Sequence, residues 1–183
     1  SALADVRQVP GCPARAQGLR RPAREGARGQ AAARSQAGPQ RGDHHTRYEL
    51  DRLVATAAPE TLSLLGLGTQ HTATLLIAAG ENIDRFSSEA AFAHLCAAAP
   101  IPVSSGRTDR HRLNPAGNRA ANRALHMIVI VRLRYCEQTK AYMERRTTEG
   151  RTKKEIIRCL KRYVAREIYR TLRADLSTLE LRT

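Results

Sequence analysis

No Cys-x-x-Cys pair occurs in this chain, and none of Cys12, Cys96, Cys136 and Cys159 has a histidine near it at ligand spacing. Neither a zinc site nor a disulfide framework is indicated, and a reduced cytoplasmic setting is expected. No apolar run of about 18 residues is present, so membrane insertion is not supported. The first residues lack the apolar segment of a signal peptide, so secretion is not supported either. Acidic residues are scarce as well. Against 17 Asp+Glu stand 31 Lys+Arg, and the formal net charge is +14 over 183 residues. A chain with that balance seeks polyanions, nucleic acid first among them. A basic solubility surface or a ribosome-associated tail is the plainer alternative, and charge alone does not separate the two.

Large aliphatic residues are almost absent between Leu19 and about residue 44, where Arg, Ala, Gly, Pro and Gln dominate. Such a segment cannot bury enough apolar surface to offset its ordering entropy. Residues 1–44 are therefore expected to be a disordered tail, residues 45–175 a helical DNA-binding domain and 176–183 a second tail. The start at Ser1 reads as a fragment, and the biased tail as a basic arm on nucleic acid, a solvated tail or a frame-shifted stretch. From Tyr48 a helical period appears in Tyr48, Leu50, Leu53 and Val54 and stops before Pro59. A short helix from Glu60 to Leu65, the turn Gly66-Leu67-Gly68, and a helix from Thr69 or Gln70 with Ala73, Leu76 and Ile77 inward read as a helix-hairpin-helix. Glycines before a helix N-terminus let a phosphate approach free N–H groups at the positive dipole end. A plain helical corner is the competing reading.

Ser87 or Ser88 caps a helix from Glu89 to Ala97, with Phe92 and Leu95 inward and His94 on its surface. Gly117 or Asn118 opens a long helix striped by Ala121, Leu125, Ile128, Val129 and Leu133, which continues to a charged turn between Lys140 and Gly150. Thr152 and Glu155 form a capping-box pattern, and Ile156, Leu160, Tyr163, Val164 and Leu172 give the last helix its apolar face. Lys153, Lys154, Arg158, Lys161 and Arg162 are expected mostly outside.

Between these helices lies Pro100-Ile-Pro-Val-Ser-Ser-Gly-Arg-Thr-Asp-Arg-His-Arg112, a serine beside a glycine within a run of cations, on an irregular or hairpin loop. Taken in order, the blocks around Leu64–Gly80, Asp84–Leu95, Pro100–Arg112, Arg112–Leu133, Thr139–Glu155 and Arg158–Tyr163 resemble the C-terminal serine domain of the insertion-sequence one-hundred-and-ten type DEDD transposases. The similarity runs over about residues 48–175.

That resemblance implies a mainly α-helical domain that binds DNA and takes part in transposition, site-specific strand exchange in which the serine of Pro-x4-Ser-Gly attacks a phosphodiester. Here that serine is Ser105, with Ser104 its neighbour. A serine needs a base or metal-bound species to take its proton, and the phosphoryl oxygens need cations. Arg107, Arg110 and Arg112 are candidates for that role, and His111 for the base or a plain surface residue. The nucleic-acid contacts expected are Gly66, Gly68, Thr69, Arg107, Arg110, Arg112, Asn118, Arg119, Lys153 and Lys154.

The family's Mg²⁺ is implied to sit on acidic residues of a RuvC-like N-terminal domain, whose Asp/Glu set residues 1–47 do not offer. No cofactor is expected on this chain alone, no metal ligand is assigned, and independent catalysis is doubtful. A guide RNA and homo-oligomerisation at full length are further implications, and no membrane is involved. Ala97-Ala-Ala stands before Pro100 where the family tends to have a glycine. The rival readings are a non-catalytic helix-hairpin-helix DNA-binding module, in which Ser105 is idle, and an inactive transposase remnant.

Overall fold

The computed structural model describes residues 41–99, 101–105, 108–112, 114 and 116–181. In chain order they form α1 (Arg41–Ala57), α2 (Pro59–Ser63), α3 (Thr69–Ala79), α4 (Glu89–Leu95), β1 (Ile101–Ser105), β2 (Thr108–Arg112), α5 (Arg119–Tyr135), α6 (Glu137–Thr148) and α7 (Lys153–Glu180), with one 3-10 turn at Ile83–Arg85 before α4. The mainly helical class is what these residues adopt. Helix reaches past 45–175 at both ends, starting at Arg41 and stopping at Glu180. Of the disordered tail expected over residues 1–44, residues 1–40 lie outside the described residues, and 41–44 belong to α1.

The longest helix is the organiser. Thr152 Oγ1 accepts the Glu155 N–H, and the Glu155 carboxylate accepts the Thr152 N–H at 2.9 Å, so two donors that α7 would leave orphaned are satisfied reciprocally. Ile156, Leu160, Val164, Ile168 and Leu172 then recur at helical spacing and are buried. At 28 residues α7 is about 42 Å long, and α2, α4, α5 and α6 all pack on it. Phe92 of α4 is fully buried in the core together with Leu75, Leu125 and Ile128. Its ring lies 5.6 Å from Phe86 and 5.7 Å from Tyr169, an aromatic cluster that joins α4 to α7.

Three apolar expectations are corrected. Ile77 is 82% exposed, because polar and apolar residues are mixed around α3, which turns Thr72, Leu75, Ala78 and Ala79 inward instead. Tyr48 and Leu53 of α1 are exposed, leaving Val54 as its buried residue. The helix from Arg119 does not run on through Lys140. It breaks at Cys136, one residue in extended conformation between α5 and α6, and α6 folds back so that Tyr142 meets Tyr163 edge-on at 5.7 Å. Elsewhere α2 and α4 are shorter than expected, ending at Ser63 and Leu95. Cys96 and Cys159 are free thiols. Among the described residues no helix is long and apolar enough to cross a membrane.

Candidate nucleic-acid interface

Two features carry the candidate site, the glycine turn between α2 and α3 and the hairpin that bears Ser105. The turn is held from beneath by α5. Arg132, 4% exposed, donates from Nε to the Leu65 carbonyl at 2.8 Å and from Nη1 to the Glu167 carboxylate on α7. Its Nη2 is buried and has no hydrogen-bond partner among the described residues. Arg132 falls on the apolar stripe of α5, seven residues after Leu125 and four after Ile128, so an arginine on a core face was the available signal for its role.

The two glycines differ in kind. Gly66 has φ +91°, and a Cβ there would lie 3.1 Å from the Ile128 carbonyl oxygen. It packs against α5. Gly68 has ordinary extended backbone and nothing within 4 Å of a Cβ position. It is also the N-cap of α3 with no side chain to accept from the first turn. Only at Thr72 does the N–H reach back to the Gly68 carbonyl, so the opening N–H groups of α3 have no intrahelical acceptor and sit at the positive end of its dipole.

Ser105 is the last residue of β1 and pairs with Thr108, while Ser104 pairs with Asp109 and Val103 with Arg110. Arg110, His111 and Arg112 lie along β2. Their side chains, that of Ser105 and the whole of Arg107 are outside the described residues. What is described is how the hairpin is rooted. Asn114 Nδ2 donates to the His94 carbonyl at 3.1 Å, the Asn118 N–H to that of Leu95 at 2.7 Å, and Asn122 Nδ2 to those of Cys96 and Ala97, both at 2.9 Å. Three asparagines thus fasten the start of α5 and the segment before it to the end of α4. Asn122 Oδ1 in turn accepts Lys161 Nζ at 3.0 Å.

The end of α4 is strained where these bonds converge. Ala97 has φ +51°, the only positive φ outside glycine among the described residues, and it closes α4 in a Schellman pattern with Ala98 N–H on the Ala93 carbonyl and Ala97 N–H on that of His94. Glycine is the usual occupant of that position. Gly117 packs against it so closely that a Cβ would come within 2.5 Å of the Ala97 Cβ.

Asn118 Oδ1 accepts the Ala121 N–H, so this residue caps α5 and its acceptor is committed. Arg119, Lys153 and Lys154 are exposed. Lys161 is a correction. It is 8% exposed, and burial, then Arg158, holds its ammonium below the ordinary value. Burial pushes the Cys96 thiol up to about 12, which excludes it as a nucleophile. Among the described residues no group of three or more His, Cys, Asp or Glu is placed to hold a metal ion, so the Mg²⁺ that the family implies has no fitted ligand set there.

The glycine turn and the hairpin root are not one pocket. Arg132 marks the first and Asn122 the second, ten residues or about 15 Å apart along α5. Residues 60–144 match the model of the transposase IS116/IS110/IS902 family. Over that span the chain resembles an IS110-type transposase domain. The match covers just under half of the 183 residues and takes in α2 through most of α6, including the glycine turn, the hairpin and its asparagine root. α1 and α7 lie outside the matched transposase segment. No curated protein matches the chain.

Proposed function

We propose that this chain is the DNA-binding, serine-bearing part of an insertion-sequence transposase, working with an acidic catalytic domain and a guide RNA. The observation that carries the reading is the transposase-family match over residues 60–144, since it spans both the open glycine turn and the Ser105 hairpin. DNA backbone contact falls to the first turn of α3, where Gly68 admits a phosphate to unpartnered N–H groups beside Thr69. Exposed cations such as Arg119, Lys153 and Lys154 add counter-charge.

At the hairpin, Ser105 Oγ forms a bond to phosphorus while the bond from phosphorus to a deoxyribose oxygen breaks. The serine proton passes to a base, and the departing sugar oxygen acquires one. Arg107, Arg110 and Arg112 supply positive charge to the phosphoryl oxygens. Magnesium, when a partner domain brings it, stabilises the same developing charge, and the chain's own part is to present the serine and the cations.

The test is reconstitution. With an acidic RuvC-like domain of the family, guide RNA, Mg²⁺ and matching DNA, the chain forms a covalent protein–DNA adduct. Ser105→Ala abolishes the adduct and Ser104→Ala spares it, while DNA affinity survives both. An adduct that persists in Ser105→Ala overturns the nucleophile. DNA binding without any adduct in the complete system leaves the non-catalytic module.

A further inference from the structure

The stripe Arg162, Arg166, Tyr169 and Arg173 recurs at helical spacing on α7 and faces α4 and the 3-10 turn before it. Tyr169 Oη donates to the Phe86 carbonyl at 3.0 Å. Arg166 Nε lies 3.9 Å from Glu89 Oε2, and Arg173 Nη2 lies 3.1 Å from Asp84 Oδ1. Arg170, beside this stripe, pairs with the other oxygen of Glu89. Each of these cations has a carboxylate within reach except one. Arg162 has no ion pair or hydrogen bond among the described residues; its Nε, like that of Arg166, is buried with no hydrogen-bond partner, so what distinguishes Arg162 is the missing carboxylate.

The place of that unmatched charge is informative. α4 runs antiparallel to α7, with Glu89 beside Arg166 and Arg170, and Cys96 reached from Lys161 through Asn122. Arg162 follows Lys161 and precedes Arg166 by one turn, so it stands at the end of α4 from which the Ser105 strand departs. Lys161 beside it is buried on a neutral acceptor, Asn122, and Arg158 is exposed one turn earlier. Two cations, Lys161 and Arg162, therefore lie near the hairpin root with no carboxylate partner among the described residues, while Arg158 stands close enough to Glu155 to lower its carboxyl. Burial, and then the neighbouring Arg166, lower the guanidinium pKa of Arg162, with smaller opposing effects from Cys159 and Tyr163. A half-buried guanidinium in that setting costs stability unless an anion meets it.

We infer that Arg162, flanked by Lys161 and Arg166, is a seat for one phosphodiester of a nucleic-acid strand passing the root of the Ser105 hairpin. The inference rests on the nucleic-acid reading proposed above. It assigns contact to a part of α7 that lies outside the family match and that reads from the sequence as a solvated face.

The experiment is a salt titration of the full chain against a duplex DNA of about 20 base pairs and, separately, a structured RNA of similar length. Each neutralised phosphate contributes about 0.9 to the log–log slope on duplex DNA and about 0.7 on a single strand. Arg162→Gln is expected to lower the slope by about one such contact and the affinity about five- to tenfold, with an unchanged or higher thermal midpoint. Loss in the DNA arm alone assigns the seat to DNA, and loss in the RNA arm alone to RNA. An unchanged slope in both arms overturns the seat while leaving the function standing. Failure of the unsubstituted chain to bind either nucleic acid overturns the function and the seat together. Should Arg162→Gln fold poorly, arginine-directed dicarbonyl labelling of the unsubstituted chain decides the matter. Arg162 shielded by bound duplex or RNA supports the seat, and equal labelling with and without both overturns it.

Discussion

The carboxylate of Asp175 accepts both the backbone N–H and the hydroxyl of Thr61, at 2.9 and 2.7 Å, across 114 residues of chain. It also accepts the Glu60 N–H at 3.0 Å. Asp175 is 5% exposed and Thr61 fully buried, so α7 caps α2 from outside and ties the last helix to the base of the glycine turn. Asp175→Ala leaves the Glu60 and Thr61 N–H groups without their acceptor, while the Thr61 hydroxyl keeps Thr171 Oγ1 at 3.0 Å. A loss of about 2–4 kcal/mol in urea-unfolding stability is expected, and a loss below about 0.5 kcal/mol would show that water replaces the carboxylate.

The two glycines of the turn should separate stability from binding. Gly66→Ala forces a side chain into positive φ against the Ile128 carbonyl oxygen and should destabilise by about 1–3 kcal/mol. At Gly68 an added Cβ has nothing within 4 Å, so Gly68→Val enters open space at its first carbon. Its thermal midpoint should move little while DNA affinity, read by fluorescence anisotropy, falls several-fold, because the added branch stands before the open N–H groups.

At Ala97 the prediction is a gain. An L-residue in the left-handed region costs about 1–2 kcal/mol, and a glycine there gives back part of that through its more flexible unfolded chain. Ala97→Gly should raise the urea midpoint, by up to about 1 kcal/mol of stability. An unchanged or lower midpoint would mean that the Ala97 methyl contributes packing that outweighs the strain.

Glu155 sets a pH dependence. Hydrogen bonds from the Thr152 backbone and side chain, with smaller help from Arg151 and Arg158, hold its carboxyl below the usual carboxylate range. A depressed folded-state pKa means that the contribution is present above the unfolded pKa and is lost as pH falls through the folded one. Glu155→Gln should lower the thermal midpoint at neutral pH. The difference from the unsubstituted chain should shrink below about pH 4, and a difference that stays constant down to pH 3 would contradict the charge as its source.

What the sequence made legible is what lies within a few residues of itself. Ser88, Asn118 and Thr152 cap the helices that follow them, because a cap needs only its own next turn. The stripe from Ala121 to Val129 is buried because the opposite face of α5 is polar enough to choose a side. α3 offers no such contrast, so its sequence does not say which way Ile77 faces. Lys161 reads as one more surface lysine, since the Asn122 that holds it lies 39 residues away. Arg132 was hidden in the same way, its acceptors being Leu65 and Glu167. At the candidate site, Ser105 and the glycine turn were legible as motifs, but their separation along α5 was not, because it is a property of the assembled helices.

That separation makes α5 a ruler. A straight helix does not stretch, so the glycine turn, held at Arg132, and the root of the hairpin, held at Asn122, are kept about 15 Å apart along it. On the function proposed above, the backbone contact at Gly68 and the foot of the Ser105 hairpin belong to one frame, and the number of residues between Asn122 and Arg132 sets their offset. Lengthening α5 by a turn would move the foot of the hairpin relative to the glycine turn without altering a residue of either.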